Sequence, residues 1–284
     1  MATDVVASAR RAVTAPVAAV GGVLDTLGDQ LAFYLRSLGW LPKTITRYKK
    51  ETLRLLSEVV FGSGSLAVIG GTVGVIAFMS FFTGTEVGLQ GFAALDQLGV
   101  ASYTGFITAF FNTREIAPIV AGLALSATVG CGFTAQLGAM RISEEIDALE
   151  VMAVPSLPYL VTTRIIAGFV AVIPLYIIGL LSSYLASYVI TVYVSHESPG
   201  VYSHYFHLFL PPEDVIWSFV KVLVFAIVII LTHCYYGYTA SGGPAGVGVA
   251  VGRVVRLAIV AVTVLDFFLS FAIWGSTTSV RIAG

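Results

Sequence analysis

The sequence predicts an all-α integral membrane protein with five transmembrane helices, and three observations support this prediction. Apolar residues make up 57% of the 284-residue chain and charged residues only 11%, about half of the share of roughly 25% that is usual in soluble domains. Five apolar segments are long enough to cross a bilayer. The Lys and Arg residues are concentrated on one predicted side of these segments, as the positive-inside rule describes.

Residues 1–60 are expected to form amphipathic helices at the cytoplasmic membrane surface rather than a span. Between residues 17 and 38, apolar residues recur at helical spacing, but charged residues and glycines interrupt them too often for a span. Residues 43–54 form a second predicted amphipathic helix with a basic polar side. We expect no cleavable signal peptide, because Gly21, Gly22 and Asp25 interrupt the first apolar segment.

Residues 61–284 form the predicted transmembrane domain. Its spans cover about residues 66–82, 98–140, 165–194, 215–238 and 254–274. The first contains the close-packing pattern Gly70-x-x-x-Gly74 and leads into a polar stretch from residue 84 to 97. The second is expected to break near residues 112–118. Its second half carries a ridge of small residues at four-residue steps that predicts close helix packing, namely Gly122, Ser126, Gly130, Thr134 and Gly138.

The distribution of basic residues predicts the topology. Of the fifteen Lys and Arg residues, eight precede the first span and four flank the second and fourth connections between spans. The positive-inside rule then places the N-terminus in the cytoplasm and, with five spans, the C-terminus outside the inner (cytoplasmic) membrane. Two spans near Arg114 would reverse the later topology, but the charge count disfavours them. Cys131 and Cys234 lie in apolar segments, where packing is a simpler role than a disulfide.

The most acidic part of the chain, about residues 143–153, lies between the second and third spans and is predicted to form a short cytoplasmic helix. Ser143 is expected to cap its N-terminus, and Pro155 to end it. An apolar side is predicted from Ile142, Ile146, Leu149 and Met152. Such a helix is suited to docking a partner, although a solvated helical loop explains the pattern equally well.

Other candidate sites have simpler explanations. The glycine-rich residues 239–248 are not followed by the Gly-Lys-Ser/Thr of a phosphate-binding loop, so a turn between spans is predicted. His204 and His207, in an external loop from residue 195 to 214 that also holds His196, are spaced too loosely to predict a metal site. We find no catalytic arrangement of nucleophiles and expect no enzymatic activity.

Lys221 and Asp266 are ionisable residues within predicted spans, which makes them candidates for function. Lys221 is close enough to the outer end to extend its ammonium group to the interface, and Asp266 could pair with another helix. We find no series of carboxylates that would form a proton relay. An ion-coupled transporter that acts alone therefore remains an alternative hypothesis.

The residues Glu144-Glu-Ile-Asp-Ala-Leu149 resemble the Glu-Glu-x-Asp-Ala signature of the MlaE/YrbE family of ABC-type permeases. Arg114-Glu-Ile-Ala-Pro118 is similar to the family's Arg-Glu-(Leu/Ile)-Gly-Pro, with Ala in place of the usual glycine. Residues 240–248 and 265–267 also match family segments in the right order. The resemblance extends from about residue 57 to the C-terminus, and the long N-terminal region is similar to a B-type subunit of the actinobacterial branch that works with Mce proteins.

This resemblance implies an MlaE-like permease fold and an ATP-driven lipid transporter. The acidic helix would be the coupling helix, in which Glu144, Glu145, Asp147, Ala148 and Leu149 transmit motion from a separate cytoplasmic ATPase. That ATPase dimer would hold ATP and Mg, so that this chain needs no cofactor and no metal. The further partners implied are a paralogous permease in a heterodimer and Mce-type lipid-binding subunits outside. The implied substrate is lipid, with import of fatty or mycolic acids favoured.

Phe78, Phe81, Phe82, Val87 and Leu89 are candidate lipid-path residues in and after the first span, although ordinary lipid-facing positions would have the same composition. Besides ion-coupled transport, two alternative functions remain from the sequence. The first is phospholipid trafficking or export that maintains the lipid balance of the envelope. The second is a membrane anchor that assembles other subunits without transporting anything. We expect no nucleic-acid partner.

Overall fold

The computed structural model of the protein describes residues 25–61 and 71–275, and the regular structure in these two ranges is helical. The N-terminal part forms three short helices, α1 (residues 25–39), α2 (Leu41–Arg47) and α3 (Lys49–Phe61). The beginning of the predicted surface helix, residues 17–24, lies outside the described ranges.

Five long helices confirm the predicted number of spans. They are α4 (Thr72–Asp96), α5 (Ala101–Ile142), α7 (Leu157–Val194), α9 (Pro212–Tyr238) and α10 (Gly243–Trp274). Even the shortest has 25 residues, which at about 1.5 Å per residue exceeds the roughly 30 Å of a bilayer core. Two short helices lie between the spans, α6 (Glu145–Val151) and α8 (Pro199–Leu208). The protein is therefore a multi-pass α-helical membrane protein.

The first span differs from the prediction, because residues 84–96 form the second half of α4 rather than a polar connection. This half contains glycines because it packs closely against α7. A Cβ atom at Gly84 would lie only 2.4 Å from the carbonyl oxygen of Ser183. The predicted start of the span at residue 66 and Gly70 of the close-packing pattern lie outside the described residues.

The second predicted span corresponds to α5, and the expected break near Pro118 is wrong. Residues Asn112–Ile116 form a π-helical turn instead, and a second π-helical turn follows at Ser126–Gly130. A π-helical turn absorbs one extra residue while the helix continues. Pro118 is tolerated because it lies in the first turn of the regular helix that follows, where its missing N–H is not needed.

The last three spans begin earlier than predicted, and each has in its first turn a proline that the apolar pattern did not include. These prolines lie in the first turn of α7, α9 and α10 and are Pro158, Pro212 and Pro244. Proline is favoured at this position because its fixed φ matches the helix. The predicted external loop from residue 195 to 214 likewise contains α8, which begins at Pro199.

Helix α7 contacts α3, α4 and α9, while α5 contacts α9 and α10. The predicted ridge of small residues on α5 is confirmed. A Cβ atom at Gly130 would overlap the ring of His233, and one at Gly138 would lie 2.8 Å from the side chain of Val247. Only 17% of the most apolar segment of α10 is buried. This helix therefore lies at the edge of the bundle.

The three N-terminal helices pack at the end of the bundle that carries α6, which we call the basic end. The ring of Phe33 in α1 lies 5.4 Å from that of Tyr235 in α9, and the hydroxyl of Thr162 in α7 donates to the carbonyl of Ser37 over 3.1 Å. The other side of α1 exposes three leucines at four-residue steps, Leu27, Leu31 and Leu35. A helix with one side on the bundle and an exposed apolar side is suited to a membrane surface.

The predicted basic helix over residues 43–54 consists of two helices, α2 and α3. They are separated at Tyr48, whose φ of −114° and ψ of 34° are not helical. The ring of Tyr48 packs edge-on against Tyr159 of α7, with 5.3 Å between the centroids. This tertiary contact accompanies a turn that the sequence pattern did not indicate.

Candidate functional site

The acidic segment forms α6, a helix of seven residues between α5 and α7 at the basic end. It is flanked by two residues in the left-handed region, Glu144 with φ 60° and Ala153 with φ 59°. At the C-terminus, the N–H of Ala153 donates to the carbonyl of Glu150 and the N–H of Val154 to that of Leu149, which forms a Schellman motif. Such backbone conformations cost roughly 1–3 kcal/mol each in a residue other than glycine. The surrounding contacts must therefore hold α6 in place.

Both ends of α6 differ from the prediction. Ser143 is not its N-cap, because Ser143 directly follows α5 and its hydroxyl bonds back to the carbonyl of Ala139 over 2.9 Å. This hydroxyl also lies 2.9 Å from a carboxylate oxygen of Glu145. At the other end, α6 stops at Val151. Pro155 therefore does not end the helix but lies in the connection to α7.

One side of α6 is attached to α5 and to the core. Ile146 is 1% exposed, and Leu149 is half-buried against the same core. The carboxylate of Asp147 pairs with the guanidinium of Arg141 in the last turn of α5 at 2.7 Å. The inward positions predicted for Ile146 and Leu149 are confirmed.

The C-terminal part of α6 is linked to α9 through the connection that follows. The hydroxyl of Ser156 donates to the carboxylate of Glu150 over 2.6 Å and lies 2.8 Å from the hydroxyl of Tyr238. Ser156 is 2% exposed whereas Glu150 is exposed, so the link joins a buried hydroxyl to a carboxylate at the surface. As a result, α6 is joined to α5, to the start of α7 and to the end of α9.

The exposed surface of α6 and its flanking residues combines acidic with apolar residues. We call it the acidic tip, comprising Glu144, Glu145, Asp147, Ala148, Val151 and Met152. Val151 is 88% exposed and Met152 65%. The predicted inward position of Met152 is wrong, because the helix has already ended when the chain reaches this residue. The sequence prediction did not single out Val151, because this residue is not on the predicted apolar side of the helix.

Charged residues also form a cluster inside the spans, towards the end opposite α6. Lys221 of α9 is fully buried, and its Nζ lies 2.7 Å from a carboxylate oxygen of Asp266 in α10 and 3.3 Å from one of Glu115 in α5. It also donates to the hydroxyl of Ser270 over 2.6 Å and to the carbonyl of Arg114 over 2.7 Å. Lys221 therefore points inward rather than to the interface, and the expected pairing of Asp266 with another helix is confirmed.

An ion pair between Arg114 and Asp214, with 2.7 Å between nitrogen and oxygen, continues this cluster. The indole N–H of Trp274 donates to Asp214 over 2.9 Å, and the guanidinium of Arg114 lies 4.3 Å from the centre of the Phe110 ring. The cluster joins α5, α9 and α10. Sequence reasoning did not assign Glu115 or Asp214 to it. The available signal was the presence of Arg114 and Glu115 within one long apolar segment.

A third polar cluster surrounds His233, which is fully buried in α9. Its Nε2 lies 3.0 Å from the hydroxyl of Ser126, and its Nδ1 lies 2.9 Å from that of Thr134. Gly130, between these two residues of α5, provides the space that the ring occupies. Both ring nitrogens thus have hydroxyl partners on α5, and the ring fills the contact between α5 and α9.

The five predicted lipid-path residues lie on α4, and three of them share one outward side. Phe78, Phe82 and Leu89 are 58%, 64% and 38% exposed, whereas Phe81 and Val87 are half-buried. These exposed side chains face away from the bundle of this chain. They would line a path only where a second subunit covers this side of α4.

Comparison with known protein families gives a match to the permease MlaE family over residues 62–272. This range covers α4 to α9 and nearly all of α10, including the acidic tip, and leaves out α1 to α3. The chain belongs to the MlaE permease family. The predicted family is therefore confirmed, as is the predicted permease fold with five spans.

Relatives from bacteria and plants support this assignment. A probable ABC transporter permease of Rickettsia bellii is 32% identical over 174 residues, which is 61% of this chain and 67% of the relative. A probable ABC transporter permease of Synechocystis is 28% identical over 229 residues, covering 81% and 84% of the two chains. The chloroplastic protein trigalactosyldiacylglycerol 1 of Arabidopsis thaliana is 30% identical over 206 residues, covering 70% and 57%. The chain is thus an ABC transporter permease.

Proposed function

We propose that this permease is the membrane-spanning subunit of an ATP-driven lipid transporter in the cytoplasmic membrane, and that α6 couples it to a separate cytoplasmic ATPase. The observation that carries the proposal is the acidic tip, an exposed surface on a helix fixed to three other parts of the bundle. The basic end is then the cytoplasmic side, which leaves the C-terminus outside. ATP and Mg²⁺ would be held by the partner ATPase, because the proposed role of this chain is to move lipid rather than to hydrolyse ATP.

The attachments of α6 provide a route for force. A displacement of α6 acts on α5 through Ile146 and the Arg141–Asp147 ion pair. It acts on α9 through the hydrogen bonds between Glu150, Ser156 and Tyr238. Since α5 and α9 pack against each other and against α7, a movement at the basic end would be passed to the centre of the bundle.

The chemistry of the acidic tip indicates what its partner surface must offer. Glu144 and Glu145 carry exposed carboxylates, which basic residues at the rim of a groove would complement. Val151 and Met152 are exposed apolar side chains next to them, and an apolar floor in the same groove would bury them. The predicted coupling residues Glu144, Glu145, Asp147 and Ala148 lie on this surface. Asp147 also holds α6 through its pair with Arg141, and Leu149 packs on the core.

A lipid substrate is supported by two observations. The Arabidopsis relative carries the name of a galactolipid, and the exposed side of α4 presents aromatic residues that a second permease subunit would enclose. We therefore infer a heterodimer with a paralogous permease and Mce-type lipid-binding subunits outside. The resemblance to the actinobacterial branch favours import of fatty or mycolic acids. Export of phospholipid is the alternative direction.

The coupling proposal is tested by reversing charges on α6 in the Glu145→Lys/Asp147→Lys variant. We expect the complex to lose ATPase association and lipid uptake, because the partner's basic groove would then meet positive charge. The matched control is Asp25→Lys/Asp29→Lys, which makes the same change in charge at exposed positions of α1. The single variant Glu145→Lys keeps the Arg141–Asp147 pair. A loss of ATPase association in this variant therefore reports on docking rather than on the stability of α6. Wild-type uptake and association in the double variant would refute the assignment.

The buried cluster around Lys221 favours a second candidate function, ion-coupled transport by the chain alone. Asp266 and Glu115 are carboxylates in the spans that could exchange a proton while Lys221 remains charged. This function predicts that the purified chain moves lipid in vesicles under a proton gradient without ATP. Activity that requires an added ATPase would exclude it. A chain that binds the ATPase while lipid transfer is insensitive to ATP would instead be an assembly anchor.

A further inference from the structure

A pocket of about 260 Å³ lies at the basic end, between α2 and the connection from α6 to α7. The aromatic rings of Trp40 and Tyr48 and the cationic side chains of Lys43 and Arg47 line it on the α2 side. Pro155 and Pro158 line it on the other side. The pocket lies outside the surface proposed to dock the ATPase and is distinct from the clusters inside the spans.

One buried polar group in this pocket lacks a partner. Thr44, a lining residue, is 0% exposed, and its hydroxyl has no hydrogen bond. The neighbouring threonines differ, because Thr46 and Thr52 donate to the carbonyls of Lys43 and Tyr48. A buried hydroxyl without a hydrogen bond is unfavourable. Because this hydroxyl is closed to solvent, an acceptor atom of a bound ligand would remove the cost once the side chains around Thr44 shift to admit it.

The two cations of the pocket are not neutralised by the part of the chain that the structure describes. Lys43 and Arg47 form no ion pair with a described carboxylate, and their charged groups contact aromatic rings instead. The ammonium lies 4.9 Å from the centre of the Trp40 ring, and the guanidinium lies 5.9 Å from that of Tyr48. Both cations are exposed and are therefore able to receive an anion.

The nearest acidic residue in the sequence is already engaged. Between residues 36 and 54 there are six basic residues and one acidic residue, Glu51. Its carboxylate accepts two hydrogen bonds from Arg54, at 2.6 and 3.1 Å. These bonds lower the pKa of Glu51, so that it stays ionised and paired with Arg54. It is not available to neutralise Lys43 or Arg47.

We propose that this pocket binds a phosphate group, carried either by the head group of a membrane lipid or by a soluble phosphate. Two cations and one hydroxyl donor match an anion that has several acceptor oxygens. Ile45 of α2 is 52% exposed and Leu35 of α1 is 62% exposed, and exposed apolar residues on short helices suit a position at the membrane surface. This position favours the lipid as the source of the phosphate.

A bound phosphate would add a link between α2 and the start of α7, which already touch where Tyr48 packs on Tyr159. Lys43 and Arg47 belong to α2, whereas Pro155 lies in the connection that follows α6 and Pro158 in the first turn of α7. Occupation of the pocket would hold α2 against this connection. The inference does not depend on the coupling proposal, because it rests on the pocket and its unpaired donors.

The test compares lipids that differ by the phosphate group alone. The full-length permease, purified in detergent, is titrated with phosphatidic acid, with diacylglycerol and with inorganic phosphate, and the bound molecules are counted by native mass spectrometry. We expect phosphatidic acid to bind and diacylglycerol not to bind. Binding of inorganic phosphate with similar affinity would assign the site to a soluble phosphate. Failure of inorganic phosphate to bind would assign it to the lipid head group.

Three variants locate the binding site. Lys43→Gln/Arg47→Gln should weaken binding of phosphatidic acid at least roughly tenfold, because two charge-assisted hydrogen bonds are lost. Lys49→Gln/Lys50→Gln removes the same charge from α3, outside the pocket, and should change binding less than about twofold. Thr44→Val should weaken binding while the melting temperature without lipid stays equal or rises, since the hydroxyl has no partner in the protein.

The result that overturns the proposal is equally direct. Unchanged binding in Lys43→Gln/Arg47→Gln, or an equal loss in Lys49→Gln/Lys50→Gln, would show unspecific attraction to a basic surface. Binding of diacylglycerol as strong as that of phosphatidic acid would show that the phosphate is not recognised. Thr44→Val decides the question if the charge variant does not fold.

Discussion

Replacing Lys221 with Met should strongly destabilise the permease, because it removes the cation around which three spans meet. Methionine is flexible and similar in length, so it fills most of the space of the lysine side chain. The change leaves the carboxylate of Asp266, which is 6% exposed, without the ammonium group that lies 2.7 Å away in the wild type. Ser270 and the carbonyl of Arg114 lose a hydrogen-bond donor at the same time.

The expected magnitude follows from the burial of this pair. Removal of one partner of a buried ion pair typically costs roughly 3–5 kcal/mol, because the other charge remains uncompensated. A cost of this size changes the folding equilibrium by roughly 100- to 5,000-fold. Asp266→Asn in the same background removes the uncompensated charge and should recover most of the loss. An exposed lysine such as Lys50 provides the control, since its change to Met should cost less than about 0.5 kcal/mol.

The assay is reversible unfolding in mixed detergent micelles, followed by circular dichroism for the wild type and each variant. Lys221→Met should unfold at a clearly lower denaturant fraction, and Lys221→Met/Asp266→Asn should lie between it and the wild type. A free energy of unfolding of Lys221→Met within about 1 kcal/mol of the wild type would refute the reasoning. So would a double variant that is no more stable than Lys221→Met.

Two further predictions address helix packing and docking. Gly84→Ala should destabilise the permease by roughly 1–3 kcal/mol, because its Cβ atom would lie 2.4 Å from a backbone oxygen of Ser183. The control is Gly132→Ala, whose Cβ atom would have nothing within 4 Å and which should be neutral or stabilising by up to about 1 kcal/mol. Equal effects of the two variants in the same unfolding assay would contradict this prediction. Val151→Asn/Met152→Asn should leave stability unchanged but weaken binding of the proposed ATPase roughly tenfold, measured by titration of the purified subunits. Unchanged affinity would assign docking to the carboxylates alone.

The sequence was sufficient to predict the number of spans and the acidic helix, because both depend on local composition. Five apolar segments need five helices in a bilayer, whatever their packing. The ridge of small residues on α5 was also readable, since its four-residue steps place them on one side of the helix. Gly130 and Gly138 confirm this, as they contact α9 and α10 closely.

The boundaries of the spans were less predictable, because they depend on tertiary contacts. The second half of α4 has a polar composition, yet it stays helical since Gly84 packs on the backbone of α7. The π-helical turn at Asn112–Ile116 replaces the break expected from Pro118. A single sequence gives no signal that distinguishes such a turn from a break.

The acidic site was predicted in position but not in detail. The carboxylates of Glu144 and Glu145 are exposed as expected, whereas the outward position of Met152 follows from a helix end that the sequence did not indicate. The cluster around Lys221 was recognised only in part. Its partner Glu115 is distant in the sequence, and only the packing of α5 on α9 brings the two side chains together.

The most direct test of the proposed coupling is photo-crosslinking from the acidic tip in living cells. A photoreactive amino acid at Met152, which is 65% exposed, is compared with one at Leu98, which is 75% exposed in the connection after α4, at the opposite end of the bundle. We expect a crosslink to a nucleotide-binding ATPase, identified by mass spectrometry, from position 152 and not from position 98. A functional permease that forms no such crosslink from position 152, or forms it from position 98, would contradict the account.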